Sequence, residues 1–327
     1  MFIHQWYARR YMTPTRVHSS HPLAIVLAAT VLALVLHSSP ARAQAAQPPA
    51  QPPQPAQTAA PPSTVPVPSF VPIGESYRFE VSVDGWSTLP STVMYSDTET
   101  ITTTAATATT AAVTTTVTGT DINFRQQLGL PVQKWFPAFH VVIRPQPRHK
   151  IRFDFYPLYY KQSATLSAPI NFNGQTYLAG QNGDSTLYWN EWQLGYEYDV
   201  LTFDRGYVGA VAGANFYAVS GGMSNGVQSG TAGVHIPMPG LGAIARYYAT
   251  PRVSFVGAYT GYFLPGGNTS THGHVNDVEL YGTINISKYI GIQGGYRLLN
   301  ASHNFSSPVN TGDFTIGGGF IGGTFRY

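Results

Sequence analysis

The stretch Asp313-Phe-Thr-Ile-Gly-Gly-Gly-Phe-Ile-Gly-Gly-Thr-Phe-Arg-Tyr327 decides the interpretation of the chain. It carries no charge between Asp313 and Arg326, and apolar residues alternate loosely between its glycines. Two aromatic rings, Phe325 and Tyr327, stand at its end, where the last residues of a soluble domain usually fray. The pattern predicts a β-strand that is held in a sheet and faces apolar surroundings.

The composition of the whole chain agrees with such surroundings. Charged residues are 10% of the 327 residues, against roughly 25% in ordinary soluble domains. The chain has 33 glycines, 21 tyrosines and no cysteine. Scarce charge with abundant Tyr, Phe and Gly is typical of strands that face lipid on one side. The absence of cysteine excludes disulfides and thiolate chemistry, and the net charge of +3 gives no argument for nucleic acid.

The N-terminal part predicts export. Basic residues precede an uncharged run over 22–36, and the small-residue pattern Ala41-x-Ala43 follows, which predicts a signal peptide over 1–43. The alternative is a single membrane anchor, but the run is shorter than the roughly twenty residues that a spanning helix needs. Residues 44–74 are rich in Pro, Ala and Gln, which predicts a disordered periplasmic linker before a barrel domain over 75–327.

Alternation and turns predict an antiparallel up-and-down transmembrane β-barrel. Apolar and polar residues alternate strictly from Tyr77 to Asp84, as in a strand with two unlike faces. Four short turns, each followed by a longer polar stretch, predict about ten strands, with eight or twelve as alternatives. An even number puts both ends on the periplasmic side. The four predicted turns are 144–148, 203–206, 249–252 and 287–289. The longer polar stretches, predicted as outer loops, are 167–184, 220–231, 266–273 and 300–312.

The Thr/Ala-rich stretch around 91–118 leaves two interpretations open. Threonine favours strands, so the stretch could form an additional hairpin of a twelve-stranded barrel. It has few aromatic or large aliphatic residues, which favours a long extracellular loop or hairpin after the first strand.

Alternation also places most strand charges on one face, toward the lumen. A barrel of about ten strands has a narrow lumen, so we expect opposed charges there to pair and block free diffusion. The alternative is a selective path for a small or hydrophobic solute. The predicted lumen charges are Arg78, Glu80, Arg152, Asp154, Glu191, Glu197, Arg246, Asp277, Glu279, Arg297 and Arg326.

Several short segments between 119 and 327 resemble a family of uncharacterised outer-membrane β-barrel proteins of Gram-negative bacteria. The resemblance implies a barrel fold and a location in the cell outer membrane, where outer-membrane lipids and lipopolysaccharide would be its partners. It supplies no catalytic, cofactor-binding or metal-binding residue. The segments are Gly119-Thr-Asp-Ile-Asn-Phe, Arg148-His-Lys-Ile-Arg-Phe, Asn171-Phe-Asn-Gly with Tyr177, Gly195-Tyr-Glu-Tyr-Asp199, Tyr281-Gly-Thr-Ile-Asn285, Gly295-Tyr-Arg297 and the final strand.

The same resemblance gives a role to the end of the chain. Gly322, Phe325 and Tyr327 form a Gly-x-x-aromatic-x-aromatic pattern similar to the signal that barrel-assembly machinery recognises during insertion. We therefore expect a non-enzymatic outer-membrane barrel that meets this machinery during biogenesis. The alternatives are an outer-membrane lipid-modifying enzyme and a soluble periplasmic β-protein, and the oligomeric state stays open.

Overall fold

The computed structural model describes residues 70–104, 112–123, 127–128, 133–264, 272–306 and 309–327. The predicted signal peptide, residues 44–69 of the predicted linker and residues 105–111 of the Thr/Ala-rich stretch lie outside these ranges. No helix within the described ranges has the length and apolar character needed to cross a membrane.

The described residues form β-strands joined by turns. In chain order the strands are β1 Phe79–Thr104, β2 Ala112–Asn123, β3 Lys134–Gln146, β4 His149–Thr165, β5 Ile170–Phe172, β6 Gln175–Tyr177, β7 Asn182–Phe203, β8 Gly206–Ser224, β9 Ser229–Tyr248, β10 Val253–Leu264, β11 His272–Asn285, β12 Ile290–Ser306 and β13 Val309–Arg326.

Ten of these strands close into an antiparallel barrel, which confirms the predicted fold and strand number. Neighbours in sequence pair in the order β1, β3, β4, then β7 through β13, and β13 pairs back onto β1. Glu80 lies opposite Arg326 in this closing pair, so the final strand is the seam of the barrel. β2 pairs with β1 beyond the part that β3 covers, over Val93 to Thr104. β5 and β6 form a separate small hairpin.

All four predicted tight turns are found at one end of the barrel, here called the turn end. The opposite end, here called the loop end, differs from expectation because strands continue into stretches predicted as loops. β8 and β9 extend to Ser224 and from Ser229, and β12 and β13 extend to Ser306 and from Val309. Residues 182–184 likewise belong to β7. Cross-strand pairing extends these polar segments because neighbouring strands satisfy their backbone groups.

The outward face of β4 shows where lipid would cover the wall. Its outward side chains are apolar from Ile151 to Tyr159 and then polar from Lys161 to Thr165. The apolar part meets the roughly 9–11 residues that a strand needs to cross a bilayer. The barrel therefore has a membrane-spanning half next to the turn end and a half next to the loop end that extends beyond the apolar band.

The inward face reverses its polarity at the same level. In β7 the inward side chains are Glu197, Gln193 and Glu191 within the apolar band, and then Trp189 at the edge of the band and Leu187 just beyond it. A wall facing lipid outside can keep polar groups inside, whereas a wall facing water needs an apolar interior. Alternation along one strand thus produces a polar lumen in one half and an apolar core in the other.

The apolar core fills the lumen toward the loop end, a feature that the sequence interpretation did not predict. Large side chains from most strands meet there, and the β5–β6 hairpin adds Ile170, Phe172 and Tyr177. The Trp189 ring packs against Tyr217 and Phe314 with ring centres 5.5 and 5.3 Å apart. Trp86 connects this core to the polar half, because its ring centre lies 4.9 Å from the Arg297 guanidinium. Its Nε1 donates a 3.1 Å hydrogen bond to the Gly318 carbonyl.

Candidate functional site: the charged lumen

A lysine is surrounded by carboxylates near the turn end of the lumen. The Lys150 Nζ lies 2.7 Å from Glu197 Oε1 and 3.0 Å from Asp199 Oδ1. It also lies 3.4 Å from the centre of the Tyr207 ring. Arg152 binds the second oxygen of Glu197 at 2.8 Å. Because one lysine holds both Glu197 and Asp199, these carboxylates serve as partners in an ion-pair network.

Residues 70–77, ahead of β1, lie across the turn-end opening and deliver a further carboxylate. Glu75 Oε2 accepts a 2.7 Å hydrogen bond from the Tyr248 hydroxyl and lies 3.4 Å from Arg246 Nη1. Its Oε1 lies 3.4 Å from Arg144 Nη1. The backbone N–H of Ile73 donates a 2.7 Å hydrogen bond to the carbonyl of Pro251. We call residues 70–77 the entry segment.

The charge state of Glu75 follows from these neighbours. Burial alone would raise the pKa of this carboxyl, but Arg246, Lys150, the Tyr248 hydroxyl and Arg144 together lower its pKa below the ordinary value. The neighbouring Gly74 has a φ of +92°, and a Cβ on it would come within 2.9 Å of Arg326 Nη1. A glycine at this position therefore allows the entry segment to enter the opening.

The closing strand contributes its own cation to the same level. Arg326 is buried, pairs with Glu80 across the seam through its Nε, and donates a 2.6 Å hydrogen bond from Nη1 to Asn285 Oδ1. Its guanidinium lies 5.9 Å from the centre of the Tyr77 ring. The seam is thus closed by backbone pairing outside and by a buried ion pair inside.

The middle of the lumen is organised around Arg297. Its Nη2 lies 2.6 Å from Asp277 Oδ2 and 3.0 Å from Glu191 Oε1, and its Nε lies 3.0 Å from Asp277 Oδ1. The guanidinium stacks 3.5 Å from the centre of the Tyr156 ring. The Tyr156 hydroxyl in turn donates a 3.0 Å hydrogen bond to Glu279. Arg297 is only 1% exposed, so this cluster lies away from both openings.

A histidine that sequence reasoning missed bridges two further carboxylates in this middle layer. His140 Nδ1 lies 2.8 Å from Asp154 Oδ1, and its Nε2 lies 3.1 Å from Asp84 Oδ2. Gln293 Nε2 donates a 2.9 Å hydrogen bond to the same oxygen of Asp84. A carboxylate at each ring nitrogen favours the doubly protonated imidazolium, which donates both hydrogen bonds.

A small cavity lies in this layer. A cavity of about 50 Å³ is lined by Arg152, Asp154, Tyr262, Asp277 and Glu279, among others. A water molecule needs roughly 10–15 Å³ of such volume, so the cavity has room for a few waters and not for an organic solute.

The structure thus brings ten of the eleven predicted charges together in two connected layers. Arg78 differs, because it precedes β1 and its side chain is exposed. The predicted set of lumen charges left out Glu75, Asp84, His140, Lys150 and Asp199. Alternation had already placed Asp84 on the charged face of the first strand and Asp199 on the face of Glu197, and it also puts Lys150 on the face of Arg152. No local pattern could have shown that Glu75 folds back into the opening.

The predicted assembly signal lies at the seam, with Phe325 and Tyr327 on the outer face and Gly322 on the inward face. Phe325 and Tyr327 are 52% and 80% exposed, on the side that faces lipid. Gly322 lies opposite Asp84, where a Cβ would come 2.0 Å from Asp84 Oδ1 and 2.2 Å from the Val83 carbonyl oxygen. The glycine is therefore needed for close packing of β13 on β1, whatever its part in recognition.

Comparison with known proteins adds a set of distant structural similarities. No family model and no curated protein sequence match the chain. The outer-membrane protease OmpT of Escherichia coli is similar over 76% of this chain and 97% of its own, with 9% identity and a TM-score of 0.46. The Yersinia pestis protein Ail covers 76% and 98% with 8% identity and a TM-score of 0.31.

A third similar structure is that of a transporter. The toluene transporter TodX of Pseudomonas putida is similar over 76% of this chain and 89% of its own, with 6% identity and a TM-score of 0.29. At these values the assignment of the fold rests on the strand pairing of the chain itself, in which β13 closes onto β1.

Proposed function

We propose that this chain is an integral outer-membrane barrel with a closed, non-conducting lumen, and that its loop-end half makes its external contacts. The observation that carries the proposal is the filling of the lumen along its length. The entry segment covers the turn end, two ion-pair layers occupy the membrane-spanning half, and the apolar core with the β5–β6 hairpin fills the rest. Export would depend on the predicted signal peptide over 1–43.

The ion-pair layers favour closure because opening them is costly. Moving Arg297 away would leave Asp277 and Glu191 as buried carboxylates without their cation. Breaking one side of a buried ion pair typically costs about 3–5 kcal/mol. A solute path through this layer would require several such pairs to separate together. The free energy needed is well above the thermal energy.

The loop-end half suits a contact role because it is well packed and projects beyond the apolar band. β7 has 22 residues, whereas crossing a bilayer needs roughly 9–11. The projecting part has its own core, in which Leu187 is completely buried. Its turns expose Leu178 and Val227, and its outward strand faces carry polar residues.

Two measurements test this proposal. We expect the refolded barrel to be silent in planar bilayers and to migrate differently on detergent gels before and after heating. Discrete ohmic conductance steps would contradict the closed lumen. Recovery of the chain in the soluble periplasmic fraction without heat-modifiable migration would instead favour the alternative of a soluble β-protein.

The non-enzymatic part of the proposal has a separate test. The lumen carboxylates and His140 are held by partners inside the barrel, where a lipid substrate would have to displace them. We expect lipopolysaccharide and phospholipid profiles to be the same in a deletion strain and its parent. A lipid species missing from the deletion strain and restored by the gene would favour the lipid-modifying alternative.

A further inference from the structure

The turn end carries a ring of exposed cations. Each tight turn contributes one of them, and a fifth precedes β1. The only exposed acidic side chain that the described residues place at this end is that of Asp204. The five cations are Arg78, Arg148, Arg205, Arg252 and Lys288. We call these five side chains the basic rim.

The loop end has no comparable excess of one sign in the part that the structure describes. Exposed charges there include Lys161, Asp184 and Asp313, which are of mixed sign. The charge asymmetry therefore belongs to one end of the barrel and is not a general property of its surface.

The basic rim lies at the level where lipid headgroups would meet the wall. Phe203 and Tyr289 are exposed beside it, and the Lys288 Nζ lies 4.7 Å from the centre of the Tyr289 ring. Exposed aromatic rings at the edge of an apolar band are typical of the interface between hydrocarbon and water. The cations thus stand where phosphate groups of the adjacent leaflet would be.

One corner of the rim shows outward-facing donors close together. Arg148 Nη2 donates a 3.4 Å hydrogen bond to the Thr202 hydroxyl. The adjacent His149 packs between the Tyr196 and Tyr198 rings, at 5.9 and 5.1 Å between ring centres. Guanidinium and hydroxyl groups beside aromatic rings fit a phosphate that is attached to an apolar chain.

We propose that the basic rim binds the phosphate groups of anionic phospholipids in the leaflet at the turn end. The cations are distributed around the wall, and the centre of the opening is occupied by the entry segment with its paired Glu75. A perimeter of charge fits a ring of lipid headgroups better than a soluble anion entering the mouth. Each cation close to an anionic surface strengthens attraction by roughly fivefold, and salt weakens it.

The test measures which lipids stay with the barrel. The full chain is reconstituted in equimolar phosphatidylcholine and phosphatidylglycerol, extracted in mild detergent, and its bound lipids are quantified. We expect several-fold enrichment of phosphatidylglycerol, reduced by high salt. The combined variant Arg148→Gln, Arg205→Gln, Arg252→Gln and Lys288→Gln should lose the enrichment, and the loop-end control Lys161→Gln should keep it.

Other outcomes overturn the proposal. Bound lipid at the bulk ratio in the wild type, or equal enrichment in the combined variant, would contradict a lipid-binding rim. A second contradicting outcome is that neither the wild type nor any variant enriches phosphatidylglycerol, while soluble anionic peptidoglycan fragments bind to the wild type and not to the combined variant. If the combined variant fails to fold, the four single glutamine variants replace it, and each should reduce the enrichment.

The inference rests on insertion in a membrane, so insertion is measured separately. Heat-modifiable migration after refolding in pure phosphatidylcholine reports the barrel itself. If the wild type inserts there but shows no lipid preference, only the proposal of lipid binding by the basic rim is overturned. Failure of the wild type to insert would count against the proposed function.

Discussion

Arg297 and Asp277 form a two-point ion pair in the middle of the lumen, with Nη2 2.6 Å from Oδ2 and Nε 3.0 Å from Oδ1. The same guanidinium reaches Glu191 and stacks on Tyr156. One side chain therefore pairs with two carboxylates from different strands and fills the space between them. The stability of the closed barrel should depend on it.

We predict that Arg297→Met destabilises the barrel by about 3–5 kcal/mol, because Asp277 and Glu191 would stay buried without their cation. Urea unfolding in phosphatidylcholine vesicles measures the change. Adding Asp277→Asn to the variant should recover part of the loss. The exposed Arg148→Gln is the control, with an expected change within about 0.5 kcal/mol. An Arg297→Met barrel as stable as the wild type would show that the pair contributes little.

The entry segment gives a prediction about pH. The pKa of Glu75 is lowered in the folded chain, so its carboxylate contributes stability above the ordinary pKa and loses it as pH falls through the folded value. Glu75→Gln should therefore melt at a lower temperature than the wild type at neutral pH. Melting curves should converge as the solution is acidified below the ordinary pKa of 4.5. A difference that is constant with pH would argue against a charged Glu75 in the opening.

Two neighbouring glycines of β13 give a matched steric test. A Cβ at Gly322 would come 2.0 Å from Asp84 Oδ1, while a Cβ at Gly323 would have its nearest neighbour, the Gly291 carbonyl oxygen, 3.9 Å away. Asp84 cannot move freely because Gln293 and His140 hold it. Gly322→Ala should reduce the yield of folded barrel strongly, and Gly323→Ala should fold normally. Equal yields would contradict close packing at the seam.

Deleting Phe325 to Tyr327 tests the predicted assembly signal. We expect membrane insertion to fall more than secretion, as measured by fractionation and heat-modifiable migration. The deletion also removes Arg326 and leaves Glu80 without its partner. Arg326→Met, which keeps both aromatic residues, separates the effects: it should insert but unfold more easily. Insertion of the truncated chain at the wild-type level would contradict the hypothesis that Phe325 and Tyr327 belong to an assembly signal.

Local pattern was sufficient for the outline of the fold. The four tight turns and the alternation along β4 and β7 gave strand number, strand pairing and the two faces of the wall. These features depend on residues that are neighbours in sequence, because a strand alternates with a period of two and a tight hairpin needs particular turn residues. The sequence also showed that most strand charges share a face.

The same alternation was interpreted too simply toward the loop end. The polar residue Asp184 was assigned to a loop, although it belongs to β7, in which the apolar residues Leu187 and Trp189 are turned inward. The pattern had reversed because water, and no longer lipid, faces the outer wall there. A search for this reversal along the strand would have predicted the apolar core.

The sequence by itself determined a β-barrel wall, its strand order and the inward side of its charges, since each depends on local periodicity and turns. Only the tertiary structure decided which charges meet. Arg326 and Glu80 are 246 residues apart, and Tyr156 and Glu279 are 123 apart. Such pairs depend on the register of every strand around the closed barrel, and Glu75 joins them only because the entry segment turns back into the opening. Closure at the seam brings these side chains to one level, and burial there makes their pairing strong.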